Sequence, residues 1–294
     1  MPNNLILMII FCVLGMGWPG QSWTQEKFSF EYDHTEREFI VYHPQKEAPT
    51  SGHPVVLVLH GLTQSMQRAM RMSNFNELAE KENFIAVFPA GLNAAWNVSG
   101  RQGGADDVGF LNAVLDSLGK WYAVDESRMY SCGFSNGGFM SYKLACELSH
   151  RIAAVASVTG SMWKGQMSTC HPEHLIPVMQ IHGTDDLIVD YRGNQNFSAA
   201  EEVVEYWRLK NGCTKIPEYE VMVFEEDSDR PLVVKKSYKP CMDRAEVVLL
   251  TLHGGGHIWP GSTVKSFFSK SFDELDASSV IWEFFTGFSK DIKK

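Results

Sequence analysis

The sequence predicts an α/β fold with a mostly parallel central sheet and helices on both faces. Three observations predict it. Strand-like and helix-like segments alternate along most of the 294 residues, with no internal repeat and no Pro- or Ser-rich linker. Several strand-like runs are continuously apolar, as strands buried on both faces are. Hydrophobic content of 44% with charged content of 21% belongs to a chain with a packed core.

The N-terminus is set apart from that alternation. Leu5 to Met16 is apolar, and no charged side chain precedes Glu26. Such a run is short for a membrane span and has the length of a leader core. Gly20 and Ser22 form a small-x-small pair that places cleavage before Trp23. Residues 1–22 are therefore read as a signal peptide and residues 23–294 as one domain. Gly15 to Gly20 matches a dinucleotide-binding glycine pattern, but it follows no strand and opens no helix, so it is set aside.

The strands follow in order. Lys27 to Asp33 and Arg37 to Pro44 alternate with period two and read as a leading antiparallel pair. Pro54 to Gly61, Phe84 to Ala90, Arg128 to Phe134, Ile152 to Thr159, Ile176 to Gly183 and Ala245 to Gly254 are the apolar runs. Tyr219 to Glu226 and Pro231 to Tyr238 read as an extra hairpin. Helices fill the gaps. Leu111, Val114, Leu115, Leu118 and Trp121 share one helical face, as do Ile281, Phe284, Phe285 and Phe288.

Charge and cysteine usage narrow the function. A formal charge of −9 argues against nucleic acid as a partner and against adsorption on an anionic membrane. With a leader, Cys132, Cys146, Cys170, Cys213 and Cys241 meet an oxidising compartment. Their spacing fits no zinc template. The expected pairs are Cys146–Cys170 and Cys213–Cys241, with Cys132 free and buried. Glycosylation sequons stand at Asn97 and Asn196 and matter in a eukaryotic host.

The chemistry centres on Gly133-Phe134-Ser135-Asn136-Gly137, a G-x-S-x-G match directly after an apolar strand and before a helix-like segment. A sharp strand-to-helix turn around a serine needs small neighbours, which Gly133, Gly137 and Gly138 supply. Such a turn lifts the hydroxyl above the sheet, with a helix N-terminus behind it. A serine nucleophile needs a base. In the order nucleophile, acid, base, His60 comes too early, and His182 precedes Asp185 and Asp186, the late acids at a strand end. His253 and His257 remain. A metal pair there is disfavoured because Gly254, Gly255 and Gly256 each cost a helix about 1 kcal/mol and no H-E-x-x-H pattern is present. His253 belongs to the strand end. His257 lies beyond the glycines, which read as a hinge folding the loop back, so His257 is taken as the base. Asp186 is the first choice of acid, then Asp185, then Asp190; its task is to hold the Nδ1 proton of the base. The oxyanion donors are expected to be the backbone N–H groups of Asn136 and of Leu62, with Thr63 second to Leu62.

Together, "LHGLTQS", "AGLNAAWN", "DDVGFLNAVLDSL", "YSCGFSNGGFMSYKLACELSH", "IHGTDDLIVDY" and "HGGGHIWPG" resemble the secreted esterase family of feruloyl esterases, acetylxylan esterases and polyhydroxybutyrate depolymerases. The resemblance covers roughly Arg37 to the C-terminus. It implies an α/β-hydrolase fold and a secreted serine carboxylic-ester hydrolase with no metal and no cofactor. Its motifs carry over as Ser135 nucleophile, Asp186 acid and His257 base. By the same resemblance Trp96 and Trp259 look like residues near the acyl pocket, with core packing as the alternative. The family often has proline where Asp190 stands, and "DGLN" where this chain has "AGLN". No linker to a polyester-binding domain is visible, which tilts the expected substrate toward hydroxycinnamoyl (feruloyl) esters of plant cell-wall polysaccharide. Polyhydroxybutyrate and acetylxylan are the alternative substrates. A serine peptidase and a non-catalytic binding protein are the readings from other classes.

Overall fold

The computed structural model describes residues 9–11, 25–99, 103–224, 231–264, 269 and 272–290. One eleven-stranded sheet runs through them in the order β1-β2-β3-β5-β4-β6-β7-β8-β11-β10-β9. In chain order the strands are β1 (Ile9–Phe11), β2 (Gln25–Tyr32), β3 (Thr35–Tyr42), β4 (His53–Leu59), β5 (Ile85–Pro89), β6 (Val124–Phe134), β7 (Ala154–Val158), β8 (Val178–Gly183), β9 (Glu218–Phe224), β10 (Pro231–Tyr238) and β11 (Val247–Leu252). The six central strands β5, β4, β6, β7, β8 and β11 are parallel. The expected leading pair joins antiparallel to β5 on one side, and the expected hairpin extends the sheet antiparallel from β11 on the other. Of residues 1–22, read as a leader, only Ile9–Phe11 are described, paired with β2; the rest lies outside the described residues.

The period of a strand explains the two-sided core. Val55, Leu57 and Leu59 point to one face, Val56 and Val58 to the other. On the first face they meet α3 (Asp107–Trp121), α4 (Asn136–Glu147) and α6 (Ala200–Lys210). On the second they meet α1 (Met66–Ser73), α2 (Phe75–Glu82) and α7 (Ala277–Thr286). A short α5 (Lys164–Thr169) follows β7. The apolar stripe of α3 is buried from Leu111 to Leu118, each full aliphatic burial being worth about 1.5–3 kcal/mol. Asp106 caps α3 by accepting from the Gly109 N–H at 2.9 Å. A buried Arg37–Asp107 pair, 2.6 Å apart, ties the helix to β3.

Among the described residues no helix is long and apolar enough to cross a membrane. The disulfides are Cys146–Cys170 and Cys213–Cys241, the expected pairs, and Cys132 is free and buried. Asn196 is exposed, whereas Asn97 is half-buried and its side-chain amide donates to the Ala105 carbonyl at 3.0 Å.

The chain leaves β4 toward β5 on one side and returns to β6 on the other, so the strand order reverses at β4. In open α/β sheets ligands bind at the carboxyl ends of the strands near such a reversal. The loops after β4, β6, β8 and β11 all begin at that edge.

Candidate active site

Ser135 stands between β6 and α4 with φ 54° and ψ −117°, a conformation that is strained for any residue with a side chain. The turn is held from both sides. The Ser135 N–H donates to the Val158 carbonyl at 2.8 Å, and the Ser135 carbonyl accepts from the Phe139 N–H at 3.0 Å. The neighbouring glycines are needed for space. A Cβ on Gly133 would lie 2.3 Å from the Gly137 backbone, and one on Gly137 would lie 2.2 Å from the Leu59 carbonyl oxygen. The expected elbow is therefore the local structure.

The acid and base candidates meet. His257 Nδ1 donates to Asp186 Oδ2 at 2.8 Å. The other carboxylate oxygen accepts from the N–H groups of Ile188 and Val189, both at 2.9 Å. Asp186 is 3% exposed. Burial opposes its charge, but the nearby His182 ring, the hydrogen bond and charge of His257 and the Val189 N–H outweigh it and hold the carboxyl well below the usual carboxylate range. The two runners-up are used otherwise. Asp185 is exposed and accepts from the Thr184 hydroxyl; Asp190 accepts from the Arg192 N–H in a turn. The His257 ring packs on Phe134, the residue before Ser135, with centroids 4.8 Å apart. That contact sets the base beside the elbow.

The glycines before His257 serve close approach as well as the expected turning back of the loop. Gly254 takes φ 75°. Gly255 lies against the acid loop: a Cβ on Gly183 would sit 2.1 Å from the Gly255 carbonyl oxygen, and one on Gly255 would sit 2.8 Å from Leu252. The Asp185 N–H donates to the Gly255 carbonyl and the Gly254 N–H to the Thr184 hydroxyl, each at 2.9 Å. The acid-bearing and base-bearing loops are in close contact and locked by hydrogen bonds; Gly183 and Gly255 are required by distance, whereas Gly254, with open space around it, is required by its positive φ.

The loop after β4 treats the N–H groups of Leu62 and Thr63 differently. The Thr63 N–H is spent on the Ala94 carbonyl at 2.8 Å. The Gly61 carbonyl is held by His60 Nδ1 at 2.8 Å and by the Gln64 N–H at 3.1 Å. Carbonyl and N–H of a trans peptide point in opposite directions, so pinning Gly61 O aims the Leu62 N–H the other way. By the same rule the Ser135 carbonyl, bonded into α4, aims the Asn136 N–H out of the helix N-terminus.

Sequence reasoning missed what holds this loop. His60 is fully buried; its Nε2 accepts from the Gly91 N–H at 2.8 Å, leaving the proton on Nδ1 for Gly61. Burial pushes its ring below the ordinary imidazole value. The Asn136 side chain grips Trp96 at both ends, accepting from its N–H at 2.7 Å and donating to its carbonyl at 3.3 Å. The Trp96 indole N–H donates to the His60 carbonyl at 2.9 Å. The Trp259 indole N–H donates to the Ser278 hydroxyl at 3.0 Å, and its ring packs edge-on to Phe75. Both tryptophans are 3% exposed, so core packing, the alternative in the sequence reading, describes their rings. The signal for His60 is its place at the end of an apolar strand before glycine, a position it shares with His182. Among the described residues no group of three His, Cys, Asp or Glu side chains is arranged to hold a metal ion.

Comparison with known proteins gives the family and the fold. Residues 109–215 match the phospholipase/carboxylesterase family. The chain is 30% identical over 244 residues to the putative esterase NocK of Nocardia uniformis subsp. tsuyamanensis, covering 75% of this chain and 69% of that protein. It is 28% identical over 236 residues to feruloyl esterase B of Piromyces equi, covering 75% of this chain but only 42% of the relative. In another curated relative the share falls to 31%. An acetyl xylan esterase from Aspergillus awamori has the same fold, with a TM-score of 0.62 at 15% identity over 85% of this chain and 94% of that one.

Proposed function

The chain belongs to the esterase family of the α/β-hydrolase fold, and we propose that within it this protein is a secreted serine esterase of the feruloyl esterase type. The observation that carries the mechanism is the 2.8 Å bond from His257 Nδ1 to the buried Asp186, made by a ring packed against the residue before Ser135. With Nδ1–H engaged, the remaining ring nitrogen, Nε2, is free to take a proton. Ser135 Oγ attacks the ester carbonyl as His257 accepts its proton. The oxyanion is received by the N–H groups of Leu62 and Asn136. His257 then protonates the leaving alcohol, and water releases the acid from the acyl-enzyme by the same path.

The acyl group is argued from relatives and from the rim of the site. The similarity to feruloyl esterase B supports a hydroxycinnamoyl acid. Leu62, Leu187 and Ile188 lie on the oxyanion and acid loops and are 58%, 88% and 54% exposed. Exposed aliphatic side chains at those positions suit an aromatic acyl group, which gains by apolar burial. Secretion is supported by the two disulfides and by the apolar segment ahead of Glu26.

One set of assays tests this reading: methyl ferulate, acetylated xylan, short hydroxybutyrate oligomers and a peptide, offered to the parent and to Ser135→Ala. We expect methyl ferulate to be the best substrate, and Ser135→Ala to fold while losing roughly 10^4-fold or more in kcat. A preference for acetylated xylan or hydroxybutyrate would replace the acyl assignment. Full activity of Ser135→Ala would remove the nucleophile assignment.

A further inference from the structure

A buried polar chain runs behind the acid, and none of it is used in the reaction steps above. Tyr142, on the helix that begins just after Ser135, donates its hydroxyl to Gln180 Oε1 at 2.5 Å. Gln180 Nε2 donates to the Gly160 carbonyl at 2.9 Å and stands 2.9 Å from His182 Nδ1. Tyr142, Gln180 and His182 are all fully buried.

The proton positions follow from which groups can only accept. The Gly160 carbonyl only accepts, so the amide nitrogen of Gln180 must face it. The second amide proton then goes to His182 Nδ1, which must be an acceptor. The ring proton of His182 is therefore on Nε2. That nitrogen lies 2.7 Å from the Val189 carbonyl and 3.4 Å from Asp186 Oδ2. Val189 closes the clasp, because its own N–H donates to Asp186 Oδ1. One side chain thus holds both the turn that carries the acid and the side of the carboxylate that faces His257.

We propose that His182 is a positioning residue for the Asp186 carboxylate, linked through Gln180 and Tyr142 to the helix that starts at the nucleophile. The carboxylate could otherwise rotate about its terminal torsion, which is broad for aspartate. The two backbone N–H groups on Oδ1, and the His182 ring that the Val189 carbonyl holds 3.4 Å from Oδ2, keep it at the angle that meets His257. The chain also adds a side-chain tie between the acid strand and the nucleophile helix, alongside the backbone ladder through β7. This inference rests on Asp186 being the acid of the reaction proposed above.

The test is a double-mutant cycle on p-nitrophenyl acetate, a substrate that does not depend on the feruloyl assignment. His182→Asn keeps an acceptor for Gln180 and loses the Nε2–H donor. We expect its kcat to fall on the order of tenfold to hundredfold, as small misplacements of reacting groups do, with KM held. His182→Gln returns an amide N–H near the Nε2 position and should recover most of that loss. In an Asp186→Asn background, His182→Asn should cost nothing further. Tyr142→Phe, which frees Gln180 to turn, should lower kcat less, and again only while Asp186 is present. It decides the matter if His182→Asn does not fold. Unchanged kcat, or losses that persist in the Asp186→Asn background, would overturn the proposal. If Asp186→Asn itself hydrolyses at the parental rate, the acid assignment falls and the positioning role falls with it. That outcome is distinct from additive losses around an acid that is confirmed.

Discussion

At the scale of single residues, this site is organised by where each polar group sends its one or two hydrogen bonds. The Thr63 N–H is taken by the Ala94 carbonyl, whereas His60 holds the carbonyl of the peptide that carries the Leu62 N–H, which is why the proposed reaction uses Leu62. Asp186 is separated from Asp185 and Asp190 by its burial and by the 2.8 Å bond from His257. Its environment carries a pH signature. The folded-state pKa of Asp186 lies below the ordinary value, so its contribution to stability is fully present above the unfolded value near ~3.9. That contribution is lost as pH falls from there toward the folded value. Thermal unfolding of the parent and of Asp186→Asn across acidic pH should therefore show the parent's advantage shrinking below about pH 4. A constant difference through that range would contradict the assignment. The elbow at Ser135 and the approach of His257 to Asp186 were legible in the sequence, from a glycine-flanked serine after a strand and a histidine beyond the last strand. His60 and His182 were not. Each ends an apolar strand before a glycine, and only the fold shows that Gly91 faces one ring and Gln180 the other.

At the scale of elements, what is close-packed matters more than what is flexible. Gly183, at the end of β8, and Gly255, after β11, bring the acid and base loops together, and a methyl group on Gly183 would meet the Gly255 carbonyl oxygen at 2.1 Å. Gly183→Ala must push those loops apart. We expect it to cost about 1–3 kcal/mol of stability, the range for overpacking, and to lower kcat at least tenfold by separating His257 from Asp186. Steady-state kinetics and calorimetry on that variant give both numbers, and normal activity would show that the loops are not coupled. The hairpin β9–β10 behaves differently. Cys213–Cys241 closes a stretch with a sequence separation of 28 on the far side of β11. Loop closure of that length is worth roughly 3–4 kcal/mol. Replacing both cysteines by serine should lower the Tm accordingly while leaving kcat near the parental value. The strands from β2 onward and the helices α3, α4 and α7 could be read from apolar or alternating runs and stripes, whereas β1 falls in the segment read as a leader. The helices α1, α2 and α6 were harder to single out because their polar faces dilute the apolar pattern, and their existence is decided by packing on the sheet.

At the scale of the whole molecule, the sheet separates the site from its edges. The candidate residues sit on loops after β4, β6, β8 and β11, inside the parallel block, while the antiparallel strands β1, β2 and β3 close one flank and β10 and β9 the other. The order of motifs along the chain made the parallel block legible. The position of the hairpin as an extension beyond β11 was not, since a hairpin pattern does not say which strand it joins. The same layout bears on the N-terminal segment. β1 contributes three residues to the outer edge of β2, whereas β2 and β3 share eight paired positions and bury Phe28, Phe30 and Phe39 among Phe110 and Trp121. The sheet on that flank is therefore anchored by β2–β3 and their aromatic contacts, which are all kept when the chain starts at Trp23. A leader cleaved there would remove β1 and leave the β2–β3 pairing in place. A protein produced from Trp23 onward should fold, unfold at a temperature within a few degrees of the full chain, and hydrolyse p-nitrophenyl acetate at the same kcat. N-terminal sequencing of protein exported by a secretory host should begin at Trp23. A truncated protein that aggregates, or a mature chain that still starts at Met1, would make Ile9–Phe11 part of the fold and remove the leader assignment.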